Sequence, residues 1–200
     1  EEGYGLNPIA IDTLKKQGVE LIVTVDCGIT ANHEAALCRE LGIDLVITDH
    51  HECKSELPQA IALVDPHRKD QQQPVTEMAG VGVAFKLAAA IEGEQETLLD
   101  QYCDFLCLGT VADVMPLTGE NRTMVARGLK ALENPRRVGI AALMAECSVQ
   151  KGPVTAGTIG YTLAPRINAA GRMGEVGIAT ELFLTHDAVG EVGAADDAAG

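Results

Sequence analysis

Two short apolar runs rich in β-branched residues, each ending in an aspartate, restrict the folds open to this chain. The first run occupies residues 20–26 and ends at Asp26, and the second occupies residues 44–49 and ends at Asp49. Nearly continuous apolar runs of this length are typical of strands covered on both faces, as in parallel sheets. A third run follows at 61–65. We therefore predict an α/β fold with a parallel sheet and flanking helices.

Beyond Met78 the strand pattern stops, and an all-helical extension is predicted. Predicted helices run from Pro8 to Gly18 and over 30–41, 81–92, 95–108, 120–133, 137–147, 155–163 and 175–185. Asn7 and Thr30 are the expected N-caps of the first two helices. We expect an α/β core at 1–118, a helical part of the same domain at 119–187, and a frayed or truncated tail at 188–200.

Composition places the chain among ordinary globular proteins. Hydrophobic residues make up 46% and charged residues 22%, which excludes disorder. No apolar run reaches the roughly 20 residues of a membrane span, and the start does not resemble a signal peptide. The six cysteines form no C-x-x-C pair, which favours reduced thiols in a cytoplasmic protein. We expect the chain to be a processed or excised piece, since it does not begin with Met.

Charge is unevenly distributed along the chain. Residues 1–118 carry 20 acidic and 7 basic side chains, whereas residues 119–172 carry 3 acidic and 8 basic ones. The net charge of −14 and the aromatic content of 3% argue against a protein that coats nucleic acid nonspecifically.

Candidate metal-ligand residues lie where the predicted strands end. Asp26 ends the first strand, and Asp49, His50 and His51 end the second. In open α/β sheets ligands bind beyond the carboxyl ends of the strands. Adjacent histidines on an extended chain point to opposite sides, so one can face a metal while the other faces substrate or a carboxylate. Carboxylate with imidazole suits Mn²⁺, Zn²⁺ or Fe, and an all-oxygen site suits Mg²⁺ or Ca²⁺. The alternative is a strand-end turn with a capping Asp and a partly buried His.

Asp113 and two glycines are further candidates. Asp113 lies in the apolar segment 108–117, where a buried carboxylate would need a cation or hydrogen-bond donors. It could equally lie at the surface before a cap at Thr118. Gly80 and Gly82 open a predicted helix, where free amides attract anions. Close helix packing is the other explanation for these glycines.

Basic residues in the helical part suit phosphate binding. Residues 165–172, Pro-Arg-Ile-Asn-Ala-Ala-Gly-Arg, are predicted as a helix-breaking loop. Its Arg166, Asn168 and Arg172 could hold phosphates, or the loop could be a solvated surface segment. A second basic cluster fits a phosphate track or solvated helix faces equally well; it comprises Arg122, Arg127, Lys130, Arg136 and Arg137.

Taken in order, these motifs resemble those of the DHH phosphoesterase family. The shared motifs are residues 24–28 (Thr-Val-Asp-Cys-Gly), 49–51 (Asp-His-His) and 109–113 (Gly-Thr-Val-Ala-Asp). Residues 165–172, together with 2–6 and 79–86, are similar to the RecJ single-stranded-DNA exonuclease branch. The resemblance runs over about residues 1–187.

The resemblance implies a metal-dependent phosphodiesterase, a single-stranded-DNA exonuclease that acts in DNA repair and recombination. The full-length enzyme would hold two ions, Mn²⁺ or Mg²⁺. The implied metal ligands are Asp26, His50 and Asp113. His51 would contact the scissile phosphate or a metal, and Asp49 would orient the histidines. Arg166, Asn168 and Arg172 would bind substrate phosphates.

One departure from the family pattern concerns the D-x-D motif of an upstream strand, which this chain lacks. We therefore expect these 200 residues to be inactive alone. The implied partners are single-stranded DNA and other repair or replication proteins, with no membrane.

Alternative functions remain open from the sequence. Two of these alternatives are also DHH proteins. One is another DHH phosphodiesterase, acting on oligoribonucleotides or cyclic dinucleotides, and the other is a non-catalytic DHH-like module that binds nucleic acid. A third is a structural zinc site formed by Cys27, His33, His50 and Cys53.

Overall fold

The structure is a computed structural model that describes residues 5–70, 77–172 and 176–185, apart from the side chains of residues 170–172 and 176. It divides into two compact units: Glu1–Asp100 with Met115–Thr123, and Gln101–Val114 with Met124–Gly200. The boundary predicted at residue 118 falls inside the first unit. The tail predicted at 188–200 lies outside the described residues.

A parallel three-stranded sheet organises the first unit. Its strands are β1 (Leu21–Val25), β2 (Asp44–Thr48) and β3 (Ala62–Val64), in the spatial order β1-β2-β3. The register pairs the last residue of each strand, Val25 with Thr48 and Thr48 with Val64, so all three strands end at one edge. The predicted parallel α/β fold is confirmed.

Strand β1 differs from the prediction in one respect. It lies at the edge of the sheet within the described residues, and Leu21, Val23 and Val25 are 44–53% exposed. The run was expected to be covered on both faces. An apolar run shows that a strand suits burial, but the elements that pack beside it in the tertiary structure decide which of its faces is covered.

Helices α1 (Pro8–Lys16) and α2 (Asn32–Glu40) pack on this sheet. As predicted, Asn7 caps α1: its Oδ1 accepts a hydrogen bond from the Ala10 amide at 2.8 Å, with Pro8 in the first turn. The prediction that Thr30 caps α2 is wrong, because Ala31 is the N-cap and no side chain bonds there. The core of this unit is formed by Ile11, Ala35, Cys38, Ile43, Leu45 and Ile47.

Three longer helices follow the sheet: α3 (Gly80–Glu92), α4 (Gln95–Ala112) and α5 (Gly119–Leu132). Helix α3 ends at Gly93, whose φ of +76° is the left-handed conformation that favours glycine at this position. Helices α4 and α5 each cross the division between the two units. None of the helices in the described ranges is long and apolar enough to cross a membrane.

The second unit is helical, as predicted. It contains α6 (Val138–Glu146), α7 (Ala156–Thr158), a π-helical segment (Ile159–Leu163), α8 (Ala164–Arg172) and α9 (Val176–Leu184). Its core is a continuous apolar cluster that includes Cys107, Leu132, Ile140, Ile159 and Leu163, all fully buried.

The segment that was predicted to be a helix-breaking loop forms helix α8 instead. Pro165 has no N–H, and in a regular helix its ring would collide with a carbonyl one turn earlier. The π-helical segment directly before α8 widens the turn, and the Ala164 amide bonds to the Ile159 carbonyl five residues back. The helical path therefore passes through the proline rather than ending there.

Candidate metal centre

Asp26 lies in a constrained turn directly after β1. Its φ is +64°, a left-handed conformation that aspartate tolerates better than most residues. The Asp26 amide donates to the Thr48 carbonyl at 3.0 Å, which continues the ladder between β1 and β2. The Thr24 hydroxyl donates to the Cys27 carbonyl at 2.7 Å and closes the turn. The backbone thus holds the Asp26 side chain at the carboxyl edge of the sheet.

His50 meets Asp26 at this edge. The Nε2 atom of His50 is 3.0 Å from the Oδ1 atom of Asp26. The His50 side chain is only 9% exposed, whereas the Asp26 side chain is 51% exposed. The pair therefore has a buried imidazole on one side and a carboxylate open to solvent on the other.

His51 completes a group with the donor chemistry of a metal site. One candidate ligand atom from each of Asp26, His50 and His51 lies within 4.8 Å of the others. The two imidazole rings are 4.5 Å apart, centroid to centroid. Among residues 5–70, 77–172 and 176–185, this is the only such group of three or more His, Cys, Asp or Glu residues. One carboxylate and two imidazoles fit a divalent transition-metal ion.

Asp49 is buried behind this group and binds its backbone. Its Oδ1 accepts hydrogen bonds from the His51 Nδ1 at 2.6 Å, the His50 amide at 2.8 Å and the His51 amide at 3.3 Å. Its Oδ2 accepts the Ile29 amide at 2.9 Å. One carboxylate therefore connects the histidines to the turn that follows Asp26.

The charge on Asp49 is stabilised despite its burial. Burial by itself would raise the pKa of this carboxyl group, since the residue is 1% exposed. The hydrogen bonds from the Ile29 amide, the His51 ring and the two histidine amides outweigh burial and lower the pKa. An ionised Asp49 keeps the proton of the His51 ring on Nδ1, which leaves Nε2 as the atom available to a ligand.

The first half of the chain matches the model of a known protein family. A model described as "DHH family, N-terminal domain" matches residues 5–110, more than half of the chain. The chain belongs to the DHH family. The DHH residues themselves are Asp49, His50 and His51, at the carboxyl end of β2.

Relatives of known function and structure agree with the DHH assignment. The single-stranded-DNA-specific exonuclease RecJ of Bacillus subtilis is 44% identical over 187 residues, which are 94% of this chain and 23% of that protein. A crystal structure of exonuclease RecJ bound to manganese superposes with a TM-score of 0.80 at 35% identity, covering 94% of this chain and 47% of the other. RecJ of Thermus thermophilus in complex with Mn²⁺ gives 0.76 at 34% identity, covering 90% and 27%. The chain thus spans less than half the length of these relatives.

Asp113 belongs to the second unit of this DHH chain. It directly follows α4, its side chain is exposed, and its amide donates to the Gly109 carbonyl at 3.0 Å. Its predicted place among the metal ligands stays a prediction. Gly80 and Gly82 are both buried at the start of α3, and their predicted role in anion binding also stays a prediction.

The predicted phosphate-binding residues lie on α8. Arg166 and Asn168 are exposed, and the Arg166 guanidinium donates to the Thr162 carbonyl at 2.7 Å. The side chain of Arg172 lies outside the described residues. Arg166 is therefore presented from a helix rather than from a loop, and the phosphate contacts of all three residues stay predictions.

Arg137 and Lys130 of the predicted basic cluster contact acidic side chains of the protein. The Arg137 Nε donates to Asp104 at 3.0 Å, and its guanidinium lies 4.2 Å from the centroid of the Phe105 ring. Lys130 pairs with Glu133 at 2.6 Å. For Arg137, this geometry favours a structural role over a phosphate track.

The structural zinc alternative finds no support in the described residues. Cys27, His33 and Cys53 do not join His50 in any group of candidate ligands there. The His33 side chain is 78% exposed and lies 3.6 Å from Glu34. All six cysteines lie in the described residues, and none of them forms a disulfide bond there.

One contact at the site was not predictable from the sequence, namely the hydrogen bond from the Ile29 amide to Asp49. A backbone amide leaves no mark in the residue types. Only Gly28, with a φ of +111°, indicates that the chain turns sharply before Ile29.

Proposed function

We propose that this chain forms part of the catalytic domain of a metal-dependent exonuclease that hydrolyses phosphodiester bonds of single-stranded DNA, as RecJ does. The observation that carries the proposal is the group of Asp26, His50 and His51 at the carboxyl edge of the parallel sheet. Its support is the identity to proteins named single-stranded-DNA-specific exonucleases, and to RecJ structures that hold manganese.

Asp26 and His50 are the proposed ligands of a divalent ion, Mn²⁺ or Mg²⁺, and Asp113 supplies a further ligand. In the full-length enzyme two ions are proposed. When bound, such ions lower the pKa of the attacking water and neutralise charge on the scissile phosphate. The mixed set of carboxylate and imidazole favours Mn²⁺ over Mg²⁺, which prefers oxygen ligands.

His51 is the proposed catalytic residue beside the scissile phosphate. Its side chain is 52% exposed, and its Nδ1 is bound to the buried Asp49. Asp49 fixes the ring orientation, so that Nε2 faces the open side of the site. A ring held in this way can accept a metal ion, or in its protonated form donate a hydrogen bond to a phosphate oxygen.

Arg166, Asn168 and Arg172 are the proposed contacts to phosphates of the strand. Arg166 is exposed, and a guanidinium can bind a phosphate through two parallel hydrogen bonds. The amides of Gly80 and Gly82, at the start of α3, are a further proposed anion site. Contacts of this kind give affinity without sequence preference, which suits an enzyme that degrades any strand.

The proposed setting is DNA repair and recombination in the cytoplasm, with single-stranded DNA as substrate and other repair or replication proteins as partners. Six cysteines without a disulfide among the described residues fit a reducing compartment. The names of the relatives favour this function over hydrolysis of dinucleotides and over a non-catalytic binding module.

The test uses the full-length protein and three substrates: a long single strand, the same sequence as a duplex, and a dinucleotide. We expect degradation of the single strand with Mn²⁺ or Mg²⁺ and none with EDTA. Degradation of the dinucleotide alone would favour another DHH phosphodiesterase, and cleavage in EDTA would refute the metal mechanism.

Matched variants separate the site from the rest of the sheet. Asp26→Asn and Asp113→Ala are expected to abolish turnover with an unchanged circular dichroism spectrum. Asp44→Asn, an exposed position at the other end of β2, is expected to retain activity. Full activity of Asp26→Asn would contradict the proposal.

A further inference from the structure

We propose that Gly80 is a positioning residue for the metal centre, because only a residue without a side chain leaves room for the Asp26 carboxylate. The inference rests on the proposed function, in which Asp26 and His50 hold a divalent ion. It assigns a role to the first residue of α3, which itself offers no ligand atom from a side chain.

The contact between these two residues is unusually close. A Cβ atom added to Gly80 would lie 2.4 Å from the Oδ1 atom of Asp26 and 2.5 Å from both its Cβ and Cγ atoms. Non-bonded carbon atoms make their best contact at about 3.5–4.0 Å. Rotation about χ1 moves Oδ1 and Cγ but leaves the Asp26 Cβ in place, so a rotamer change cannot relieve the overlap.

The backbone of Asp26 has little freedom to move away. Its amide is bound to the Thr48 carbonyl, and the turn is closed by the hydrogen bond from Thr24 to Cys27. The amide of Ile29 anchors the far side of the turn to Asp49. The left-handed φ of Asp26 is thus held from both sides, and a shift there would break several hydrogen bonds at once.

The start of α3 is similarly fixed. Gly80 and the apolar residues Val83, Phe85 and Ala89 of this helix are buried. A methyl group at position 80 would therefore be accommodated by displacement of either α3 or the Asp26 side chain. Displacement of the carboxylate disturbs the 3.0 Å approach of Asp26 Oδ1 to His50 Nε2. Metal ligands tolerate only about 0.2 Å of error in distance, so affinity is lost.

The experiment measures Mn²⁺ affinity in the full-length protein by isothermal titration calorimetry of the metal-free form. We expect Gly80→Ala to weaken Mn²⁺ binding at least roughly tenfold, the range found when residues that support metal ligands are changed. Gly177→Ala is the control, since an added Cβ there meets nothing within 4 Å on helix α9. Its Mn²⁺ affinity is expected to match that of the wild type.

A double-mutant cycle covers the case in which Gly80→Ala folds poorly. Asp26→Gly removes all three atoms that the new methyl would meet and also suits the positive φ. Gly80→Ala is expected to lower the melting temperature when Asp26 is present and to leave it nearly unchanged in the Asp26→Gly background. Equal losses in both backgrounds would overturn the proposal, because Asp26 would not be what the methyl group meets.

The outcomes distinguish this inference from the proposed function. A wild type that binds Mn²⁺, with a Gly80→Ala variant of equal affinity, overturns the role of Gly80 and leaves the metal centre standing. A wild type that binds no Mn²⁺ overturns the metal centre and this inference together. Weak binding by Gly80→Ala beside normal binding by Gly177→Ala supports it.

Discussion

Asp49→Asn tests whether the buried carboxylate holds the two parts of the metal centre together. Oδ1 of Asp49 accepts from the His50 amide, the His51 amide and the His51 ring, whereas Oδ2 accepts only from the Ile29 amide. Asparagine has the same shape but one acceptor oxygen. We expect that oxygen to take the place where three donors converge, which turns the new NH₂ group toward the Ile29 amide.

The expected loss at Ile29 is the free energy of one hydrogen bond to a charged acceptor. Such bonds contribute about 1.5–3 kcal/mol. Since about 1.4 kcal/mol corresponds to a factor of ten, the Ile29 amide should exchange its hydrogen roughly 10- to 150-fold faster. The loss should be local, because Asn fills the volume of Asp and leaves the core residues of the first unit in contact.

Hydrogen exchange followed by mass spectrometry, with fragmentation that resolves Ile29, measures this in the full-length protein. The amide of Ile140, in the core of the second unit, reports any global loss of stability and should be unaffected. Asp44→Asn is the matched control, because Asp44 is exposed at the start of β2. Unchanged exchange at Ile29 in Asp49→Asn, or equal acceleration in the control, would show that the Asp49 carboxylate does not hold the Ile29 amide.

Three further outcomes follow from the described contacts. The pKa of Asp49 in the folded protein is lowered from its ordinary value of 3.8. Its ionised form therefore stabilises the fold above pH 3.8, and this stabilisation is lost as the pH falls through the lower pKa of the folded state. The difference in unfolding free energy between wild type and Asp49→Asn should therefore shrink below pH 3.8, as measured by chemical denaturation; a constant difference would contradict it. Arg166→Ala should weaken binding to all single strands alike, as measured by fluorescence titration over a salt series. The slope of log binding constant against log salt concentration should fall by roughly 0.7 per lost phosphate contact. Arg166→Lys should restore binding only in part, because a lysine cannot make the bidentate contact. Arg137→Ala should lower the free energy of unfolding by about 3 kcal/mol, because the largely buried Asp104 loses its partner. Its single-strand affinity should stay within roughly twofold of the wild type, as expected for a residue that does not contact the strand. A large loss of affinity in a folded Arg137→Ala protein would show that Arg137 does bind strand phosphates.

Much of the fold was predictable from local patterns. Apolar runs ending in Asp26 and Asp49 predict parallel strands, and parallel strands necessarily place their carboxyl ends at one edge. The approach of Asp26 to His50 follows from that rule before any coordinate is known. The helices after Met78 also follow from periodicity to within a few residues, because 3.6-residue repeats are a property of the chain itself.

The errors lie where a local rule met a longer-range constraint. Pro165 is a reliable helix breaker by itself, yet the π-helical segment before it accommodates its ring and lets α8 form. The run of β1 predicts a strand, but exposure of Leu21, Val23 and Val25 depends on which elements lie next to it. Thr30 is a good capping residue one position too early for α2.

The amino-acid sequence alone predicts the parallel sheet, the residues at its carboxyl edge and the family of the chain, because these depend on residue type, spacing and strand direction. Two contacts emerge only from the three-dimensional packing: the Ile29 amide bound to Asp49, and Gly80 packed against the Asp26 side chain. These contacts join residues far apart in the chain, and their distances depend on how a turn and a helix pack on the sheet. No periodicity encodes such a distance, since it is set by steric fit between elements rather than within one.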